Sequence, residues 1–287
     1  MDDRELLKVV MGIVGKDRCL DDCAEFTCGG QVMVATTDML HRSTDFVPGM
    51  TDWQAGWMSA AVTLSDIASM GAAPKYLLIA VGLDDWKSLA GVMLGAKDCC
   101  TRYGAEIIGG DIDRHGELTV VTTGLGLVDR KDIARRTGAW PGDLICITGI
   151  PGQAQAWLDG YHQFEKFLFE PEPRVEEGQA LGKVGVSAMM DDSDGIALSL
   201  YDLMSVNDCG FALASSKLPL PAGIPAAQAR ELALYGGGDY ELIFTIAPDR
   251  FPVAGVEATV IGTVVPEKTV TVDGQPLEKR GYQHKWE

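Results

Sequence analysis

The chain has 287 residues, is 46% hydrophobic, contains 34 glycines and carries a formal net charge of −17. That length suits one large or two ordinary domains. The negative charge argues against nucleic acid or an anionic membrane as a partner, because both require a positive footprint. Apolar runs are broken by Gly, Thr or Asp well short of the roughly 20 residues a membrane span needs. The opening Met-Asp-Asp-Arg-Glu is unlike a secretory signal, so a cytoplasmic location is expected. Seven cysteines (19, 23, 28, 99, 100, 146 and 209) lack paired C-x-x-C zinc spacing and read as reduced, mostly buried thiols.

An acidic helix is expected from Asp3 to about Gly15, then a loop at Asp21-Asp22. Gln31–Ala35 reads as a strand entering Thr36-Thr37-Asp38. Trp53, Trp57, Ala60, Ala61, Leu64 and Ala68 recur at helical spacing, so a helix is expected over 53–70, stopped by Gly71 and Pro74. Ser59, Thr63 and Asp66 fall on another face of that helix, away from the apolar stripe. A strand over 76–81, a helix over 86–103, a short strand at Ile107-Ile108 and an alternating strand over 118–128 follow.

Turn formers cluster over 135–143, which sets an expected boundary between domains 1–137 and 138–287. Beyond it, strands are expected at 144–148, 186–190, 242–246 and 258–265, with helices over 153–160 and from Ile196 to about Asp208. A hairpin turns at Asp273-Gly274. The pattern predicts a mixed α/β or α+β fold.

There is no phosphate-binding G-x-x-x-x-G-K-[ST], no G-x-G-x-x-G opening a helix and no G-x-S-x-G elbow, and His41, His115, His162 and His284 show no metal-ligand spacing. What remains is acidic. Asp38, Asp111 and Asp191 each end an apolar strand, and Asp22, Asp66 and Asp194 sit in small-residue frames. Taken singly, such residues cap helices or form Asx-turns. Taken together, strand ends on one sheet edge would converge, and gathered carboxylates need a hard cation such as Mg²⁺ between them. Gly236-Gly237-Gly238 before Asp239-Tyr240-Glu241-Leu242 is either a flexible turn or a place where a ligand approaches the backbone.

Six motifs occur in one order: Thr36-Thr37-Asp38-Met39-Leu40, Leu64-Ser65-Asp66-Ile67-Ala68-Ser69-Met70-Gly71-Ala72, Gly109-Gly110-Asp111, Arg136-Thr137-Gly138-Ala139-x-Pro141-Gly142-Asp143, Asp191-x-Ser193-Asp194-Gly195 and Gly236-Gly237-x-Asp239-Tyr240-Glu241-Leu242. The set spans nearly the whole chain and resembles the thiamine-monophosphate kinase family, within the superfamily that includes aminoimidazole ribonucleotide synthetase. Ser43-Thr44-Asp45 and Ala233-Leu234-Tyr235-Gly236-Gly237 are similar to its archaeal branch.

The resemblance implies two α/β domains, the first pairing across a homodimer into a β-barrel. It implies transfer of the γ-phosphoryl of ATP to thiamine monophosphate. By position, Asp22, Thr36, Thr37, Asp38, Asp66, Asp111, Asp191 and Asp194 would hold Mg²⁺, with Asp38, Asp66 and Asp111 central to catalysis. Tyr103, Gly110, Asp111, Arg136 and Ser193 would touch ATP, and Asp45, Gly238 and Asp239 would face the acceptor. The acceptor is itself a phosphate oxyanion, so positioning and charge neutralisation suffice without a general base.

Departures fall on the acceptor side. Relative to bacterial members, Asp45 replaces His, Gly238 replaces Glu, Lys279 stands where an aromatic is usual, and Leu20 replaces a Gly. A superfamily enzyme with another acceptor and a non-catalytic nucleotide-binding protein are the alternative readings.

Overall fold

The computed structural model describes residues 3–284 and contains two separate sheets with helices packed on them. Helix α1 (Asp3–Val14) leads into an irregular segment carrying Asp21 and Asp22. The first sheet is built from β1 (Ala24–Cys28), β2 (Gln31–His41), β3 (Ala73–Leu83), β4 (Glu106–Arg114) and β5 (Thr119–Val128), in the order β1-β2-β5-β3-β4. Neighbours are antiparallel except β3 and β4, which run parallel because α3 (Ser88–Arg102) crosses between them.

One face of this sheet is dry. Val34, Leu77, Ile79, Val81 and Val120 pack beneath α2 (Asp52–Ser69) and α3. Thr51 starts α2 with a capping box, its hydroxyl accepting from Gln54 N while Gln54 Oε1 accepts from Thr51 N. The opposite face is open: Met39, Tyr76 and Leu78 are 59%, 42% and 39% exposed.

The second sheet runs β12-β11-β8-β10-β6-β9-β7. Its strands are β6 (Leu144–Thr148), β7 (Ala188–Asp192), β8 (Gly210–Leu213), β9 (Glu241–Ile246), β10 (Ala258–Val265), β11 (Val270–Val272) and β12 (Gln275–Pro276). All pairs are antiparallel except β8 and β11. Helices α4 (Gln153–Leu158), α5 (Glu165–Phe169), α6 (Val175–Val184), α7 (Ile196–Val206) and α8 (Ala226–Tyr235) complete the chain. Apolar residues pack on both faces of this sheet, α7 and Leu234 of α8 on one and Leu181 of α6 on the other.

The structure goes beyond the sequence expectations in three places. Asp38, Asp111 and Asp191 lie inside their strands rather than beyond them, because pairing with β5, β3 and β9 carries each strand further than its apolar run. The Ser59, Thr63 and Asp66 side of α2, expected away from the apolar stripe, is itself buried, with Ser59 and Thr63 enclosed against the sheet. The segments 175–184, 210–213 and 226–235, for which no element is expected above, form α6, β8 and α8.

Candidate active site

Helix α2 organises the acidic site. Asp66 projects from it, and its hydroxyls hold acids delivered by three other segments. Thr63 donates to Asp38 Oδ2 of β2 at 2.6 Å, Ser65 to Asp191 Oδ2 of β7 at 3.0 Å, and Ser69 to Asp22 Oδ2 at 2.6 Å. Asp66 Oδ2 accepts from Thr36 of β2 at 2.6 Å. Carboxylate oxygens of Asp22, Asp66 and Asp191 come within 4.8 Å of one another, with Asp191 buried. Thr63, Asp66 and Ser69 recur every three residues on a buried helix, and that polar spacing was the sequence signal for the supporting hydroxyls.

Burial and mutual repulsion oppose negative charge throughout the cluster. Burial, then the charges of Asp38, Asp191 and Asp22, push the Asp66 carboxyl well above its ordinary range. Asp191 is raised chiefly by burial and then by Asp22, and Asp38 by burial with Asp22 adding to it. Asp194 is raised by burial against the opposing pull of Arg4. Asp22 carries the guanidinium of Arg136, whose Nε donates to Oδ1 at 2.8 Å and whose Nη2 bonds the same oxygen. Arg136 N also donates to Asp21 Oδ1 at 2.7 Å. An all-oxygen donor set with excess negative charge fits a hard divalent ion such as Mg²⁺.

The cluster opens into a cavity of about 340 Å³. Asp38, Asp66, Asp191, Ser193 and Asp194 line its acidic part, while Leu40, Val47, Met58, Val62 and Leu168 supply an apolar wall. Asp45 lies on this wall, its Oδ2 accepting from His41 N at 2.7 Å and from the Thr44 hydroxyl at 2.6 Å. Gly237 and Gly238 also line the cavity, and Gly238 has φ of +91°, a conformation in which a Glu would be strained.

Several expected residues lie elsewhere. Asp111 is exposed on β4 and in register with Ala80, Val121 and Met39, on the open face of the sheet. Three inter-strand spacings, roughly 14 Å, separate it from β2. The Thr37 hydroxyl points to the same open side, bonded to Thr122 O at 3.1 Å and to the Thr123 hydroxyl at 2.9 Å. Thr36 and Asp38 alternate to the dry face, so one strand splits the motif between two surfaces. Gly110 follows Asp111's strand, and Tyr103 closes α3 with its ring edge-on to Trp57 at 6.4 Å; neither lines the cavity.

Asp239 does not line the cavity. Its oxygens accept from Gly152 N at 2.6 Å and Ala154 N at 2.8 Å, capping α4. Glu241 is committed to Arg174 and the Thr148 hydroxyl. Lys279 likewise lies outside the cavity, 5.7 Å from the Tyr201 ring. The aromatic side chain of the tail that lines the cavity is Tyr282, together with His284, and neither residue belongs to the six motifs. All seven cysteines are free thiols, and Cys23, Cys99, Cys100, Cys146 and Cys209 are buried.

Comparison with known proteins agrees with this geometry. Residues 20–128 match the model of "AIR synthase related protein, N-terminal domain". A thiamine-monophosphate kinase from Methanospirillum hungatei is 48% identical over 286 residues, covering 100% of both chains. Another from Halobacterium salinarum is 39% identical, covering 99% of this chain and 100% of the relative. The solved structure of AaThiL complexed with AMPPCP and TMP superposes with a TM-score of 0.91 at 25% identity, over 99% of this chain and 97% of that one. With full-length relatives at this identity and a solved neighbour of the same overall fold, the chain belongs to the thiamine-monophosphate kinase family.

Proposed function

We propose that this protein transfers the γ-phosphoryl group of ATP to the phosphate of thiamine monophosphate, giving thiamine diphosphate and ADP. The observation that carries the reading is the Asp22–Asp66–Asp191 cluster at the acidic end of a cavity whose other wall is apolar. Full-length relatives bearing this activity in their names support it, as does a neighbour in complex with AMPPCP and TMP.

A phosphate oxygen of the acceptor attacks the γ-phosphorus, and the bond to the β-phosphate oxygen breaks. The acceptor oxygen is already anionic, so no side chain has to remove a proton. Asp22, Asp38, Asp66 and Asp191, with Asp194 at the rim, would hold Mg²⁺. Bound there, the ion would neutralise and align the two anionic phosphates. Thr63, Ser65 and Ser69 fix the carboxylates in advance, and Arg136 offsets part of their charge. The apolar wall suits the acceptor's rings, and Asp45 is placed for its cationic or amino groups in place of an acid at position 238.

We further propose a homodimer that pairs the open faces of the first sheets into a barrel, with domains divided at 137/138. The exposed Met39, Tyr76 and Leu78 support that pairing, and the same face carries Asp111 and Thr37, which gives those residues a route to a nucleotide at the interface. Free thiols throughout support a cytoplasmic location. No helix among the described residues is long and apolar enough to cross a membrane.

The test is direct. Purified protein with ATP, Mg²⁺ and thiamine monophosphate is expected to form thiamine diphosphate, and Asp38→Asn is expected to stop it while retaining the wild-type circular dichroism spectrum. ATP binding without turnover would sink the kinase reading. Preference for a different phosphorylated or aminoimidazole acceptor would replace thiamine monophosphate as the substrate.

A further inference from the structure

Helix α1 buries none of its residues, yet it is fastened to the rim of the acceptor cavity at two points. Arg4 donates through Nε to Asp202 Oδ1 at 2.8 Å and through Nη2 to Asp202 Oδ2 at 2.6 Å, while Nη2 also reaches Asp194 Oδ2 at 3.0 Å. The three side chains are only 18%, 20% and 34% exposed, so this is a partly desolvated, forked arrangement rather than a loose surface pair. One residue earlier, Asp3 Oδ2 accepts from His284 N at 3.0 Å.

The tail is tied to the same point from the other side. Tyr282 N donates to Asp194 O at 3.0 Å, and the Tyr282 and His284 rings meet edge-on at 5.4 Å. Asp194, Tyr282 and His284 all line the cavity. Asp194 therefore has its backbone oxygen on the tail and one carboxylate oxygen on Arg4, leaving Oδ1 for a ligand.

We propose that Arg4 is a positioning residue for the acceptor pocket: its guanidinium, anchored on Asp202, fixes Asp194, and through Asp194 and the adjacent Asp3 it seats the tail bearing Tyr282 and His284 against the cavity. Apolar contacts anchor α1 only weakly, because none of its residues is buried and Leu7, Val10 and Ile13 are 38%, 46% and 80% exposed. A flat guanidinium can hold two carboxylates at once, which a lysine ammonium does with less geometric control. The kinetic part of this inference rests on the kinase reading; the structural part does not.

The test has two arms. Amide hydrogen exchange on the full chain without nucleotide should show Tyr282 and His284 exchanging about tenfold faster or more in Arg4→Ala. Asp202→Asn, which leaves Asp194 and the cavity intact, should accelerate the same amides, and Arg4→Lys should fall between wild type and Arg4→Ala. In the kinetic arm, at saturating Mg²⁺, Arg4→Ala should raise KM for thiamine monophosphate about tenfold and leave KM for ATP within about twofold. Unchanged tail exchange in both Arg4→Ala and Asp202→Asn overturns the positioning role, whatever the activity. Equal changes in both KM values overturn the assignment to the acceptor pocket. Absence of turnover by the wild type would refute the kinase reading while leaving the exchange arm to decide the role of Arg4.

Discussion

Asp66 stands among three other carboxylates with burial and repulsion both opposing its charge, so the fold sustains it at a cost to stability. Asp66→Asn should lower turnover about a hundredfold or more, since several kcal/mol of charge stabilisation would go with the ion. In EDTA the same variant should melt about 3 °C higher than wild type, or ~1 kcal/mol, and added Mg²⁺ should reverse the order. Calorimetry with and without the ion would show it; a lower melting temperature in EDTA would contradict the repulsion argument. Asp239 offers a cleaner pH signature because it lies outside the cavity lining. Burial pushes its carboxyl up to about 7 despite the α4 amides. Between the ordinary carboxylate value of about 4 and 7, the folded chain holds a proton that the unfolded chain releases. The contribution of Asp239 to stability is therefore present below that window and falls as pH rises through it. Asp239→Asn should flatten this part of the melting profile. At this scale the identities of Asp22, Asp38, Asp66 and Asp191 were legible from their small-residue frames. The capping bonds of Asp239 were not, because a cap and a ligand share the same residue types.

Helix α2 decides more than any other element, because it both covers the first sheet and holds the acids. It lies so close to α3 that glycines form the crossing: a Cβ at Gly95 would collide with the Trp53 carbonyl oxygen, and one at Gly56 with that of Val92. Gly95→Ala should destabilise the protein by about 3 kcal/mol, measured by urea unfolding, despite the better helix propensity of alanine. A stabilised variant would mean the helices can separate at little cost. The span of α2 was evident from Trp53, Trp57, Leu64 and Ala68 and from the Gly71 stop. Strand lengths were harder. Thr36, Thr37 and Asp38 look like a turn after an apolar run, but ten consecutive pairings with β5 keep β2 extended to His41. Strand β4 likewise runs through Gly109-Gly110-Asp111 because β3 supplies its partner. Long-range pairing of this kind leaves little trace in local composition.

On the scale of the whole molecule, the open face of the first sheet is the main unfinished surface, since it exposes large apolar residues that a monomer would hide. Leu78→Asp should convert a dimer to a monomer in analytical ultracentrifugation and lower activity along with it, while leaving the dry face of the sheet intact. A wild-type monomer at micromolar concentration would exclude the paired-barrel arrangement. The sequence by itself determined the chemistry and the family: its acids stand in local frames, and the order of six motifs survives without any knowledge of distance. Only the tertiary structure decided which acids meet. Period-two alternation along β2 sends Thr36 and Asp38 toward α2 and Thr37 to the open face, and two intervening strands keep Asp111 from joining them. Position along the chain names candidates, but only the register of the sheet and the hydroxyls of α2 bring Asp22, Asp66 and Asp191 within reach of one ion.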